Sequence, residues 1–136
     1  MTSEIIYKGS LRTEAKHLQS NTIIETDAPT DNQGKGERFS PTDLMATSLG
    51  SCMLTIMGIK ARDMNVSLDG TEVRIFKKMK AEPRRVGGID VKFNFPAGLN
   101  LDEKTKTILE RAAITCPVAK SIHPEIEVNI DFGWKE

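Results

Sequence analysis

Phe39-Ser40-Pro41-Thr42-Asp43-Leu44-Met45-Ala46-Thr47-Ser48-Leu49-Gly50-Ser51-Cys52 joins the clearest helix start in the chain to one of its two cysteines. Ser40 is a capping residue, Pro41 suits the first helical position, where no N–H is needed, and Asp43 puts negative charge near the positive helix end. Phe39 and Leu44 flank the cap at the spacing of a hydrophobic staple. From Leu44 to Ile59 no residue is charged, and apolar or small side chains cover every face, the pattern of a helix buried all round. This run is shorter than the roughly 18 residues a membrane span needs, and Thr47, Ser48, Gly50, Ser51, Thr55 and Gly58 dilute it. It reads as a central core helix that ends near Met64-Asn65 and carries a reactive atom in its N-terminal half.

A chain of 136 residues is expected to form one domain, residues 1–136, that buries about two-thirds of its unfolded surface. Hydrophobic residues make up 38%, low for a chain that buries a long helix on all sides, so part of the cover is expected from a second subunit. Nineteen basic and nineteen acidic residues cancel, which gives no pull toward nucleic acid or an anionic membrane. The start Met1-Thr2-Ser3-Glu4-Ile5-Ile6 has no positive segment followed by an apolar run, so no secretory signal is read and a cytoplasmic location is expected. Cys52 and Cys116 form neither a CxxC pair nor a zinc set, and His17 and His123 have no second ligand at metal spacing; no metal site is expected.

Residues 4 to 17 alternate loosely, with Ile5, Tyr7 and Leu11 set against Lys8, Arg12 and Glu14. A turn signal at Ser20-Asn21 separates them from Thr22-Ile23-Ile24-Glu25-Thr26, which together read as an N-terminal β-hairpin. Asp27 to Glu37, with Pro29, Asp31, Asn32, Gly34 and Gly36, is loop chemistry, and such loops often line sites. After the helix, Asn65 to Leu68 and Glu72 to Met79 are strand-like, and Ile89 to Phe95 alternates strictly, a β-meander with one wet face. Arg74, Lys77, Lys78, Lys80, Arg84 and Arg85 read better as a solvated hairpin than as a nucleic-acid patch, given neutral charge and sparse aromatics. Asn100, three residues before Glu103, marks a second helix start, and Leu101, Ile108, Leu109, Ala112 and Ala113 trace its apolar face down to Cys116. Pro117 stops that helix and suits the start of a short turn through Val118 to Ile122 capped by Cys116. Glu125 to Phe132 closes as a strand with Ile126, Val128, Ile130 and Phe132 on one side. The order ββαββαβ, with an optional strand before Glu72 and a helical turn after Pro117, is an α+β class in which two main helices pack on antiparallel sheet.

A buried helical cysteine is by default a small hydrophobe, which applies to Cys52. Cys116, at a helix N-terminus, has the better local argument for a lowered pKa. A thiolate inside a core needs a cation or several donors, because burial alone raises the thiol pKa. The candidates are Arg12 in the first hairpin and Arg38 beside the helix cap.

The Ser-Pro-x-Asp-Leu start, the small-residue helix reaching Cys52, Thr115-Cys116-Pro117-Val118-Ala119-Lys120-Ser121 and the element order together resemble the OsmC/Ohr family of thiol peroxidases over essentially the whole chain. Leu11-Arg12-Thr13-Glu14, Thr26-Asp27-Ala28-Pro29 and Phe39 to Leu44 are more similar to its OsmC-like branch than to its Ohr branch. The resemblance implies an intertwined homodimer with central helices wrapped by sheet and two active sites at the subunit interface. It also implies that Cys52 attacks a hydroperoxide to give a sulfenic acid, and that Cys116 resolves it as a disulfide that a dithiol reductant reopens. This assignment differs from the local argument for Cys116 as the activated thiol. An arginine from the N-terminal hairpin stands beside the peroxidatic sulfur in the family; Arg12 is the best positional match and Arg38 the fallback. The Ohr branch holds that arginine with a glutamate at the position of Thr42. Here Asp43, rotated about 100° around the helix, Asp31 or Glu37 substitutes, or the arginine is held less tightly.

The expected function is a cytoplasmic thiol peroxidase that reduces organic hydroperoxides, and hydrogen peroxide less well, in oxidative-stress defence, with no metal or organic cofactor. Met45, Leu49, Met53, Ile56 and Met57 are the candidate apolar approach for substrate, with core filling as the plainer reading of each. The alternative is an OsmC-like small-molecule binding protein without peroxidase turnover.

Overall fold

The computed structural model of the chain describes residues 1–134, so the last two positions of the expected 1–136 domain lie outside the described residues. The elements run β1 Ser3–Gly9, β2 Arg12–His17, β3 Ile23–Asp27, a 3-10 turn Thr30–Asn32, α1 Pro41–Asp63, β4 Glu72–Lys80, β5 Arg85–Asn94, α2 Glu103–Ile114, α3 Pro117–Ser121 and β6 Glu127–Asp131. They form two three-stranded sheets, β1-β2-β3 and β4-β5-β6, in the α+β class expected. The chain divides into two compact units, Met1–Met45 and the residues from Ala46 on.

In the first unit the expected hairpin is a three-stranded antiparallel sheet. The stretch from residue 4 to 17 is cut at Ser10-Leu11, where both residues take left-handed φ of 52° and 64°. Leucine is an unusual residue for that conformation, which is why the turn does not announce itself. Pairing puts Ile5, Ala15 and Ile24 side by side on one sheet face, and Arg12 opposite Asp27 on the other. Ser40 and Asp43 form a reciprocal capping box: the Ser40 N–H donates to Asp43 Oδ2 at 3.0 Å, and the Asp43 N–H donates to Ser40 Oγ at 3.0 Å.

In the second unit α1 supplies Leu49, Met53, Met57 and Ala61 to a core completed by β5 residues Ile89, Val91 and Phe93, by Phe95, and by Leu109 and Ala113 of α2. Within the chain α1 is therefore buried along one face, not all round: Ser51 and Thr55 are exposed and Ile59 is 54% exposed. The helix reaches 23 residues, longer than its charge-free run. By length and composition alone it is the one described helix apolar enough to cross a membrane. Residues 65–71 hold no strand where the optional one was expected: Asn65 and Asp69-Gly70 are turns, the residues between are irregular, and Leu68 is buried. The cap of α2 is Asp102, not Asn100; its carboxylate accepts from the Thr105 N–H at 2.8 Å. The short turn after Pro117 is α3, capped by Cys116 as expected.

β4 and β5 pair antiparallel, but β6 joins β5 in parallel, because the chain returns through α2 and α3 before adding its last strand. Beyond β6, Phe132 and Trp134 extend a stack with Phe93 and Phe95. The Phe95–Trp134 centroids are 4.0 Å apart, and Trp134 Nε1 donates to Glu110 of α2 at 2.7 Å.

Candidate active site

The first unit places its charged candidates in one cluster. Because Arg12 and Asp27 are register partners at the end of the β2–β3 ladder, their side chains share a face. The guanidinium binds the carboxylate through two bonds, Nε to Oδ1 at 2.7 Å and Nη2 to Oδ2 at 2.8 Å, a fork-to-fork geometry. Nη2 also reaches Glu37 Oε1 at 3.4 Å, and the Glu37 N–H donates to Asp27 Oδ2 at 3.2 Å. Asp27 is 1% exposed. Its hydrogen bonds from Arg12 outweigh the cost of burial and hold its carboxyl below the ordinary carboxylate range. The same pairing drives the Arg12 guanidinium further toward its charged form.

Asp27 is thus the acid that holds Arg12, a residue the sequence reading passed over. Of the substitutes considered, Glu37 contributes the longer third bond, while Asp43 serves the helix cap. Thr42 Oγ1 lies 3.2 Å from Ser40 Oγ, and Asp31 falls in the 3-10 turn. Arg38 pairs with Glu25 at 3.2 Å and donates to the Glu37 carbonyl at 3.1 Å. The signal that would have found Asp27 is strand register, which becomes readable once the chain is cut at Ser10-Leu11.

The second unit brings the two cysteines together. Both are free thiols; Cys52 on α1 is half-buried and Cys116 at the start of α3 is 0% exposed. The Ala119 N–H donates to Cys116 Sγ at 3.3 Å, and the Cys52 side chain is near enough to bear on the same thiol electrostatically. Burial pushes the Cys116 thiol above its ordinary value; the Ala119 N–H offsets part of this, and Cys52 raises it further. The local argument for Cys116 as the activated thiol is corrected: the helix-start donors are present, but burial outweighs them.

The apolar candidates separate by depth. Leu49, Met53 and Met57 are wholly buried and fill the core, while Met45 and Ile56 are half-buried. Ile56 lines an open cavity of about 440 Å³ whose other walls include Ile59, Ile108 and Ala112, with Lys60 and Arg111 as its cations. Among the described residues no group of three or more His, Cys, Asp or Glu side chains is arranged to hold a metal ion.

A long central helix that offers one thiol to a second, buried thiol at the start of a short helix, in a mixed α+β chain, defines a two-thiol domain. The chain belongs to the OsmC family, described as OsmC-like protein, whose pattern matches residues 34–131. A solved structure from Psychrobacter arcticus, of a proposed osmotic stress induced and detoxification response protein, is 57% identical, with a TM-score of 0.92 over 96% of this chain and 94% of that one. Two more distant structures share the fold. An organic hydroperoxide resistance protein OsmC from Legionella pneumophila is 16% identical, with a TM-score of 0.73 over 96% of each chain. An organic hydroperoxide resistance protein from Vibrio cholerae, with captopril bound in one of its active sites, is 14% identical, with a TM-score of 0.71 over 96% of this chain and 90% of that one. No match is found among curated proteins.

Proposed function

We propose that the protein is a thiol-dependent peroxidase that reduces organic hydroperoxides, and hydrogen peroxide less well, in cytoplasmic oxidative-stress defence. The observation that carries this reading is the meeting of a half-buried Cys52 with a wholly buried Cys116. Family membership and the detoxification name of the Psychrobacter relative support it. Cys52 attacks the terminal oxygen of the hydroperoxide as a thiolate, becomes a sulfenic acid and releases the alcohol once the departing oxygen gains a proton. Cys116 condenses with the sulfenic acid to give a disulfide and water, and a dithiol reductant restores both thiols by exchange. Arg12, held by Asp27 and always charged, is the residue this reading assigns to favouring the thiolate and orienting the peroxide. The working unit is a homodimer, and the cycle needs no metal or organic cofactor.

The test is consumption of cumene or tert-butyl hydroperoxide against hydrogen peroxide, with a small dithiol, by wild type, Cys52→Ser and Cys116→Ser. Rapid loss of organic peroxide that vanishes in Cys52→Ser supports the reading. Consumption no faster than the dithiol background in every variant sinks it and leaves the ligand-binding alternative.

A further inference from the structure

The thiol chemistry leaves unexplained the open cleft between α1 and α2. Its volume, about 440 Å³, is that of a small-ligand site. Ile56 and Ile59 of α1 line it with Ile108 and Ala112 of α2, and none of these is sealed off: Ile59 is 54% exposed and the others are half-buried. Each helix adds one cation to the walls, Lys60 from α1 and Arg111 from α2, and no acidic residue lines the cleft among the described residues. Among the same residues neither cation has an ion pair or a side-chain hydrogen bond. The remaining wall residue, Thr115, has its hydroxyl committed to the Arg111 and Ala112 carbonyls at 3.0 and 3.1 Å. The cleft therefore offers an approaching molecule hydrocarbon and positive charge, and little else. Both cations lie in the last turn of their helix, where the negative helix end favours them. That accounts for the charges but not for the apolar side chains left open in the same cleft.

We propose that this cleft binds a free aliphatic carboxylate: the hydrocarbon chain covers Ile56, Ile59, Ile108 and Ala112, and Arg111 and Lys60 hold the head group. A guanidinium presents a planar fork that matches a carboxylate, and an ammonium adds a compact charge beside it. Covering the four apolar side chains removes hydrocarbon from water on both partners, at about 25 cal/mol per Å². An uncharged chain would leave both cations uncompensated, and a chain with a cationic head would be repelled by them.

The site goes beyond the peroxidase reading, and its test uses no peroxide. Decanoate, decyltrimethylammonium and phosphatidylglycerol vesicles are titrated into the reduced protein at neutral pH and followed by calorimetry. Decanoate is expected to saturate at one per chain and to bind about tenfold more tightly than the cationic chain. Lys60→Glu combined with Arg111→Glu changes two exposed residues and is expected to weaken decanoate by about tenfold or more. Arg62→Glu reverses another last-turn cation of α1, one outside this cleft, and should stay within about twofold of wild type. No saturable binding of decanoate, the result if a second copy of the chain seats in the cleft, overturns the proposal. Equal affinity for the two chains, equal weakening by Arg62→Glu, or binding of vesicles without binding of free decanoate does the same. Should the double variant not fold, Arg111→Gln removes one charge and must still weaken decanoate; an unchanged affinity there is equally fatal. Cys52→Ser must bind decanoate as wild type does, so the site stands if peroxide is never consumed, whereas loss of binding in that variant would assign the ligand to the thiol and overturn the cleft.

Discussion

Asp27 holds Arg12 from the neighbouring strand: position 42 is threonine, and a strand carboxylate takes the guanidinium fork at 2.7 and 2.8 Å. The pH dependence follows from the direction of its shift. The Asp27 carboxyl is lowered in the folded state, so its stabilising contribution is complete above the unfolded carboxylate pKa, about 3.9, and is lost as pH falls through the lower folded value. Asp27→Asn should therefore melt at a lower temperature than wild type at neutral pH. The gap should narrow as the melts are repeated below about pH 4, and a gap constant down to the acid limit would count against the pair. Cys116 was legible as a helix cap, since Pro117 marks the next helix start. Its ionisation was not, because burial is a property of the packed chain and no local spacing reports it.

At the scale of elements, α1 was the most readable part because its start signals are local: Ser40, Pro41 and Asp43 all lie within four residues. Removing the Ser40 hydroxyl strips the acceptor of the Asp43 N–H. Ser40→Ala is expected to lower the unfolding free energy by about 1 kcal/mol, read from the urea midpoint at unchanged slope. Gly50 shows what the pattern alone does not. A mid-helix glycine costs about 1 kcal/mol relative to alanine, and here it admits β4: an added Cβ would lie 2.6 Å from Ile75 Cδ1 and 3.1 Å from Val73 Cγ1. The nearest atom is the flexible tip of Ile75, so Gly50→Ala should stay within about 1 kcal/mol of wild type as helix propensity offsets the shift. Gly50→Leu should cost about 2 kcal/mol by overpacking; equal stability of the two variants would show that β4 does not press on the helix. The strands were harder to read, since Ser10-Leu11 breaks the first run without the usual turn residues, and the parallel docking of β6 depends on the return path of the chain.

On the scale of the whole molecule, the two units differ in what they bury. The buried apolar residues belong to the second unit, whereas the buried residues of the first are Thr26, Asp27 and Ser40. The sheet of the first unit nevertheless has an apolar face: Ile5 is 67%, Tyr7 63% and Ile24 49% exposed, and pairing through Ala15 and Thr13 sets them on one side. Fully burying such side chains is worth about 2 kcal/mol each, and a contiguous apolar face in water marks an association surface. The 38% hydrophobic content pointed to the same need from composition alone, though it could not say which surface was left over. A second copy is the partner the family resemblance supplies, and α1, with Ile59 exposed, offers a further surface to it. We expect light scattering at micromolar concentration to give twice the protomer mass, and the melting temperature to rise with protein concentration. Ile5→Asp places a charge on the apolar sheet face, on its edge strand β1, and should shift the mass toward one protomer while lowering the melting temperature. Lys8→Asp, outside the Ile5–Ala15–Ile24 row, should leave the mass unchanged. A wild-type protein that stays monomeric and melts at one temperature across a hundredfold range of concentration would mean that the sheet face is tolerated in water and that each chain works alone.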